Sequence, residues 1–286
     1  MNIFSITNTP ELRSIFLFNR IGTSISETLR RLETGQRIIT GKDDPSGLIS
    51  RETMRTDIRG IQAAQKNTMA ANELLSMADS GLANISQMLL GDINQRDDTG
   101  LLGMIYDDTL PTDMKQQQIN NVLNMIDGTI RSTNYNGKRP LDGSMDNALF
   151  QLGKDVQDSM QYRLSLPSMM VSRLGGASGT LEELRTIDLE TDAGKAKAYA
   201  IINEAVNMVA TQRGRIGAVQ KHVLESNANS LDIQLEKISE GEALISNTDI
   251  ALESSRLNRA ELLAQSTMNS ILYSRSFGQY IFNALL

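Results

Sequence analysis

The chain has 286 residues, of which 40% are hydrophobic, yet it contains only six Phe, six Tyr and no Trp. Aromatic side chains normally fill the centre of a broad core, so this composition favours long helices that pack along narrow seams. The net charge of −6 argues against nucleic acid and against an anionic membrane surface as partners.

The absence of Cys and the presence of a single His limit the possible chemistry. Disulfides, thiol nucleophiles and cysteine zinc sites are excluded. We expect His222, in "AVQKHVLES", to be a helix-surface side chain, and we predict no metal, no cofactor and no catalytic residue. The start "MNIFSITNTP" lacks the pattern of a cleaved secretory signal. The longest uncharged stretch, Leu262–Ser274, is too short to insert into a membrane.

The first predicted helix begins at "TPEL", where Thr9 can act as the N-cap and Pro10 suits the first helical position. It weakens near Gly35. One apolar stripe recurs along it at helical spacing, formed by Ile21, Ile25, Leu29 and Leu32.

A second, longer helix is predicted from about Pro45 to about Asn94. Its apolar residues repeat at seven-residue spacing, with Thr68 as the lapse, and small Ala residues in the repeat would let a neighbouring helix approach closely. The stripe consists of Ile61, Ala64, Ala71, Leu75, Ala78, Leu82, Ile85 and Leu89. Residues 97–111 lose this pattern and indicate a loop.

The middle of the chain is predicted to be mixed. Helical spacing returns over residues 112–134, and the dipeptides Asn136-Gly137 and Asp142-Gly143 then indicate turns. Within residues 144–190, "ALFQLG" and "MQYRLSLP" are predicted as two strands of a hairpin, and "GGASG" as another turn.

The last third is predicted as one long helix from about Thr191 to about Ser274. Five apolar residues lie seven apart, with Ala228 and Leu235 at the partner position, and they are Leu224, Leu231, Ile238, Ile245 and Leu252. Glu242 and Asp249 interrupt the partner position, so we expect the seam to shift within residues 241–250. The predicted fold is mainly α, an elongated antiparallel helical bundle or coiled coil of the N- and C-terminal helices with a small β-hairpin region in the middle.

The stretch "GQRIITGKDD" is close to a nucleotide-binding phosphate loop, but it fails on three counts. Gly35 and Gly41 are one residue too far apart, Asp43 replaces the hydroxyl that would bind magnesium, and the preceding segment is helical. We predict a connector instead, in which Gly41 ends one helical segment, Asp43 and Asp44 supply capping carboxylates and Pro45 begins the next helix. Lys42 is expected to pair with an acidic side chain. An enzyme is not predicted.

Five blocks, taken in order, resemble the bacterial flagellin family. They are "LETGQRIITGKDDPSGL" (32–48), "IRGIQAAQKN" (58–67), "YNGKRPLDGS" (135–144), "RIGAVQKHVLES" (215–226) and "NRAELLAQSTMNSIL" (258–272). The resemblance covers both ends and most of the middle of the chain. The hook–filament junction protein shares the N-terminal block, but "GAVQ" (217–220) and the Asn-Arg-Ala block at 258–260 are more similar to flagellin.

The resemblance implies a subunit that polymerises into the extracellular filament of the bacterial flagellum and so serves motility. Residues 1–44 and 247–286 would form the inner layer of that filament, and residues 45–246 the outer layer, with the small mixed segment at 144–190. The partners implied are further copies of the chain, other flagellins, the hook-associated junction and cap proteins, an export chaperone and the type III export apparatus. Secretion would proceed without a cleaved signal.

We expect subunit packing to use apolar residues at the two ends, whose alternative role is to pair the terminal helices within one chain. They are Ile15, Phe16, Phe18, Ile25, Leu29, Ile271, Leu272, Ile281, Phe282, Leu285 and Leu286. Two other hypotheses remain. A coiled-coil adaptor would stay a small oligomer of fixed size, and a nucleotide hydrolase would bind ATP or GTP with magnesium.

Overall fold

The structure is a computed structural model, and it describes residues 9–91, 100–107, 109–154 and 161–284. Side chains are described within these ranges from Leu12 to Ser276. Contacts divide the chain into two compact units. The first comprises residues 1–56 and 237–286, and the second comprises residues 57–236.

The fold is mainly helical, as predicted, with two small antiparallel strand pairs. The elements in chain order are α1 (Thr9–Thr34), α2 (Pro45–Leu90), α3 (Leu101–Tyr106), α4 (Thr112–Ser132), β1 (Ala148–Gln151), β2 (Gln161–Leu164), β3 (Gly175–Gly176), β4 (Gly179–Thr180), a 3₁₀ helix (Leu181–Arg185), α5 (Asp192–Val219), a π-turn (Gln220–Leu224), α6 (Glu225–Ser246) and α7 (Ile250–Ala284). Among the described residues, no helix is both long and apolar enough to cross a membrane.

The end of α2 and the loop after it differ from the prediction. The helix begins at Pro45, as expected, but it ends at Leu90 and not near Asn94. Gly91 takes a left-handed conformation, with φ of 80°, and its N–H bonds to the carbonyl of Gln87 at 2.8 Å. The stretch predicted as a loop contains α3, which buries Leu101 and Ile105.

The single long helix predicted for the last third is three helical segments. A π-turn separates α5 from α6, and residues 247–249 separate α6 from α7. The second break falls inside the range 241–250 where a seam shift was expected. The prediction that the helix ends near Ser274 is wrong, because α7 continues to Ala284.

The core of the second unit is built on the predicted apolar stripe of α2. Every position of that stripe is buried, and Thr68, the lapse in the pattern, is buried as well. From Ala71 to Leu89 the stripe packs in one cluster with apolar residues of α4 and α5, which include Ile119, Leu123, Ile126, Ile130, Ile201, Ile202, Ala205 and Val209. The narrow seam inferred from the composition is thus present in this unit.

The predicted hairpin and turns of the middle segment are confirmed. Strands β1 and β2 pair antiparallel, with Ala148 opposite Leu164. Asn136 and Gly137 both have positive φ, at 50° and 80°, in a tight turn closed by the pairing of Tyr135 with Lys138. The "GGASG" turn joins β3 to β4.

Truncation of Leu82 should destabilise the second unit, because its side chain is fully buried in the core cluster. We expect Leu82→Ala to lower the free energy of unfolding by about 2–5 kcal/mol, measured by urea unfolding of the monomeric chain. Met77, on the same helix, is 37% exposed, so Met77→Ala is the matched control and should cost less than about 1 kcal/mol. Equal losses in the two variants would contradict this placement of the core.

Candidate functional site

Helices α1 and α7 pair antiparallel in the first unit, as the contacts at their joined ends show. The guanidinium Nη1 of Arg31 lies 3.5 Å from Oε1 of Glu253, and the N–H of Thr248 donates to the carbonyl of Gly35 at 2.9 Å. Each of the two helices packs chiefly on the other. The two predicted terminal helices therefore do lie side by side.

The seam between α1 and α7 is narrow and partly polar. Buried or half-buried residues recur at alternating spacings of three and four along both helices, which is the pattern of a coiled-coil seam. On α1 they are Phe18, Ile21, Ile25, Thr28 and Leu32. On α7 they are Glu253, Leu257, Ala260, Ala264, Thr267, Ile271 and Ser274. Small and polar side chains thus take up most of the α7 side.

More large apolar side chains of this pair stand outside the seam than in it. The exposed ones are Leu12, Phe16, Leu17 and Leu29 on α1, and Ile250, Leu252, Leu262, Leu263, Met268, Leu272 and Tyr273 on α7. Phe16 is 72% exposed and Tyr273 is 77% exposed. Exposed apolar surface of this extent is typical of an interaction site. We refer to these eleven residues as the outer apolar set.

The predicted packing residues are divided between the seam and the outer apolar set. Phe18, Ile25 and Ile271 lie in the seam, Ile15 is half-buried, and Phe16, Leu29 and Leu272 are exposed. The side chains of Ile281, Phe282, Leu285 and Leu286 lie outside the described residues. Sequence reasoning missed most of the outer apolar set, although the pairs Phe16-Leu17, Leu262-Leu263 and Leu272-Tyr273 signal apolar character on more than one helix face.

The connector between α1 and α2 spans residues 35–44, and its first residue ends α1. Gly35 adopts φ of 65°, a left-handed conformation that favours glycine and stops a helix. The prediction that Gly41 ends the first helical segment is therefore wrong, because Gly41 lies in a turn six residues later.

The two carboxylates of the connector have different roles. Oδ1 of Asp44 accepts from the N–H of Gly47 at 2.9 Å, so it caps α2, in which Pro45 is the first residue. A Cβ at Gly47 would clash with the Asp44 carboxylate and lie 2.6 Å from Cδ1 of Ile38, so a larger residue there would displace the capping side chain of Asp44.

Asp43 binds the connector itself and does not cap a helix, which corrects the sequence expectation. Its Oδ2 accepts from the backbone N–H of Ile39 at 3.1 Å, and from the N–H and hydroxyl of Thr40 at 2.8 and 3.0 Å. The hydrogen bond from the Thr40 N–H is the main reason that the pKa of Asp43 lies below its ordinary value, and the charge of Arg31 lowers it further. Two backbone N–H groups of the stretch that resembles a phosphate loop therefore already have an acceptor within the chain.

The connector is held against the break between α6 and α7. The N–H of Arg37 donates to the carbonyl of Ser246 at 2.7 Å, and its guanidinium donates to the carbonyl of Ile245 at 2.9 Å. Asp249 caps α7 by accepting from the N–H of Leu252 at 3.0 Å. Each of the two breaks therefore ends in an aspartate that starts the next helix.

Two buried charged residues that the sequence did not single out fix this region. Arg51 is only 6% exposed, and its Nη1 donates to the carbonyl of Ile38 at 2.6 Å. Glu253 is 3% exposed, and its Oε1 accepts from Nη1 of Arg256 at 2.8 Å. Lys42, in contrast, is exposed and has no acidic partner among the described residues, so the predicted ion pair is not found.

Protonation of Asp43 should loosen the connector. A carboxyl whose pKa is lowered by folding stabilises the folded state above its ordinary pKa of 3.8, and this contribution is lost as the pH falls through the lowered value. We expect the amide hydrogens of Ile39 and Thr40 to lose protection from exchange in that acidic range. Asp43→Ala should show the low protection at neutral pH already, whereas the control Glu33→Ala, which removes an exposed carboxyl of α1, should not. Unchanged protection in Asp43→Ala would contradict this role.

Comparison with known proteins agrees with the helical structure of both terminal regions. The bacterial flagellin N-terminal helical region matches residues 7–146, and the bacterial flagellin C-terminal helical region matches residues 199–277. The chain is 27% identical to the flagellin of Bacillus subtilis (strain 168), over 97% of this chain and 98% of that protein. It is 24% identical to the flagellar filament 30.7 kDa core protein of Treponema maltophilum, over 90% of each chain.

A third relative, the flagellin of Listeria innocua, is 23% identical over 93% of each chain. These relatives are matched over nearly their whole lengths, and nothing in the comparisons favours the hook–filament junction protein. With its helical terminal regions matched at both ends, the chain belongs to the bacterial flagellin family and is a structural subunit of the flagellar filament.

Proposed function

We propose that copies of this chain assemble into the filament chiefly through the outer apolar set of α1 and α7 and through the apolar end of the chain, residues 277–286. The observation that carries this proposal is the unequal distribution of large apolar side chains on the helix pair, which has more of them outside its own seam than inside it. One chain cannot bury both faces of such a pair, but neighbouring copies can.

The contact would be heterologous, so that one surface of a subunit binds a different surface of the next. A heterologous contact whose rotation does not close produces an open helical filament. Burial of a Leu or Phe side chain contributes about 1.5–3 kcal/mol, so a few members of the outer apolar set suffice for stable association once several neighbours contact each copy. Residues 1–44 and 247–286 would form the inner layer in this arrangement, and residues 45–246 the outer layer.

The two helix breaks, at residues 35–44 and 247–249, are hydrogen-bonded to each other. This supports a boundary between the inner and outer layers at these residues. The N-terminal stretch leaves its first helix at Gly35, and the C-terminal stretch begins its last helix after Asp249, while the N–H of Thr248 bonds to the carbonyl of Gly35. The division by contacts falls about three helical turns away, after Thr56 and before Lys237, so that the ion pair of Arg55 on α2 with Glu242 on α6 lies in the first unit.

The proposal extends to further partners and to the route of the chain, which the family suggests. The chain is secreted through the flagellar type III export apparatus, with an export chaperone, and meets the hook-associated junction and cap proteins at the two ends of the filament. Other flagellins share the filament where a cell makes more than one. The role is structural and involves no enzymatic step, no cofactor and no nucleic acid.

A charge placed in the outer apolar set should weaken polymerisation. We expect Leu272→Asp to raise the critical concentration by about 10- to 100-fold, because burial of a Leu contributes about 1.5–3 kcal/mol and each 1.4 kcal/mol is a factor of ten. Sedimentation of polymer at a series of protein concentrations measures it, with electron microscopy to identify filaments.

The matched control is Leu149→Asp on strand β1, since Leu149 and Leu272 are 56% and 57% exposed. It introduces the same charge at an equally exposed leucine outside the terminal helices and should polymerise near the wild-type concentration. Normal polymerisation of Leu272→Asp, or equal defects in the two variants, would argue against the outer apolar set as the contact surface.

The apolar end of the chain should be needed for polymerisation but not for the fold of the second unit. Deletion of residues 277–286 should abolish filaments while the helical signal and the urea midpoint of the second unit remain. A control variant keeps all ten positions but carries Ser at Ile281, Phe282, Leu285 and Leu286. The same loss in that variant shows that apolar contacts and not chain length are required, and filaments formed by the deleted chain would refute the assignment.

A further inference from the structure

The buried residues along α5 and the start of α6 repeat every seven positions, except at one interval that is one residue longer. On α5, Ile202, Val209 and Ile216 are buried and lie seven residues apart, whereas Ile216 and Leu224 lie eight apart. Seven-residue spacing then resumes at Leu231, which is also buried. In a continuous α-helix, one extra residue would rotate everything after it by about 100° and turn Leu224 and Leu231 away from the core.

The extra residue is accommodated in the π-turn, Gln220–Leu224. The N–H of Glu225 bonds to the carbonyl of Gln220, five residues back instead of four. A π-turn of this kind holds one more residue than an α-helical turn, and such turns are often found at functional sites. Leu224 and Leu231 are therefore only 3% exposed, and Leu224 lies in the same core cluster as Ile216.

Helix α2, which faces this segment, has no matching excess. Its buried residues keep an unbroken alternation of three and four from Ile61 to Leu89, through Ala64, Thr68, Ala71, Leu75, Ala78, Leu82 and Ile85. An uninterrupted seven-residue repeat on one helix can only match a partner whose stripe has the same phase. The π-turn restores that phase for the residues that follow it.

Uncharged polar contacts surround the π-turn on the side of α2. Nε2 of Gln220 donates to Oδ1 of Asn72 at 3.1 Å and to Oγ of Ser76 at 3.0 Å. One turn beyond the π-turn, Nδ2 of Asn227 donates to Oγ1 of Thr68 at 3.1 Å. Polar groups at a few positions of an otherwise apolar seam favour one register, because any shift leaves them without partners.

Nδ2 of Asn227 also donates to the carbonyl of Leu152, at 3.0 Å. The side chain therefore ties α6 both to α2 and to the residue that follows strand β1. A slip of α6 by one residue would break both hydrogen bonds at once.

We infer that the π-turn is a register-setting device. It absorbs the one extra residue so that α5 and the start of α6 present a single apolar face to α2, and Gln220 and Asn227 hold it at this place in the helix. Their hydrogen-bond partners on α2 are Asn72, Ser76 and Thr68. The inference concerns the second unit alone and stands independently of how subunits assemble.

Removal of one residue inside the π-turn tests this inference in the full chain. Deletion of Lys221, an exposed residue of the π-turn, should convert the turn into α-helix and leave the helices on both sides in phase. The matched control is deletion of Ala210, an exposed residue of α5, which should turn the buried residues Gln212 and Ile216 out of the core.

Cross-linking between introduced Cys residues measures the register of α5 and α6 against α2. The chain contains no native Cys that would interfere. Cys pairs replace two contacts that flank the π-turn, Asp79 with Arg213 and Gln65 with Asp232, whose side chains bond at 2.8 and 2.6 Å. With a short bifunctional thiol reagent, the chain lacking Lys221 should retain both cross-links at the level of the full-length chain, and the chain lacking Ala210 should lose the 79–213 cross-link. Loss of either cross-link or of folding on deletion of Lys221, or retention of both on deletion of Ala210, would overturn the inference.

A point substitution tests the polar contacts separately. Gln220→Ala should reduce the protection of the Glu225 amide hydrogen from exchange, since this amide donates the hydrogen bond that closes the π-turn. The control is Gln234→Ala, which removes an exposed glutamine whose amide bonds only locally, to Ser230 of the same helix, and which should leave Glu225 unchanged. Equal protection of Glu225 in the two variants would show that Gln220 does not hold the π-turn.

Discussion

The structure of the terminal helices depends on one mismatch between the seam they share and the apolar surface they carry. The α7 side of the seam consists largely of Ala, Thr, Ser and a buried Glu, whereas Leu, Ile, Met and Tyr side chains point away from it. Apolar area removed from water is the main source of association energy, so this pair gains little from its own pairing and would gain much from the neighbours proposed above. A chain with few aromatic residues and no large core at its ends is well suited to such shared burial.

The two breaks in the helices give this pair a defined end. Gly35 stops α1, and Asp44 and Asp249 cap the starts of α2 and α7, so that the helices on both sides of each break end at defined residues. Arg51 supplies a donor to the carbonyl of Ile38 in the connector. Buried charges are tolerated when they are hydrogen-bonded in this way, and they penalise any alternative placement of the loop.

Much of this fold could be predicted from the sequence, because long apolar repeats are strong signals. The stripe from Ile61 to Leu89, the start of α2 at Pro45 and the β1–β2 hairpin all follow from spacing and turn residues. Helix α3 could not be predicted, because one and a half turns with two buried residues leave no periodicity to measure. The π-turn was also invisible, since one extra residue between Ile216 and Leu224 has meaning only beside the unbroken stripe of α2.

The candidate contact surface was predicted only in part for a related reason. The sequence marks Phe16 and Ile271 equally as apolar helix residues, but only the position of the partner helix decides that Ile271 is buried and Phe16 is exposed. The burial of Arg51 depends likewise on the carbonyl of Ile38, thirteen residues away in an irregular segment. Side-chain roles that arise from tertiary contacts carry no local signature.

The weak seam between α1 and α7 also bears on the proposed export of the chain. A helix pair held by Ala, Thr and Ser requires little work to separate, which would favour passage of the unfolded chain through an export channel. In the proposed filament, the same helices would be held by several neighbours at once, and their stability would depend on subunit concentration as well as on the single chain. Ease of unfolding before the proposed export and durability in the filament would then arise from one choice of seam residues.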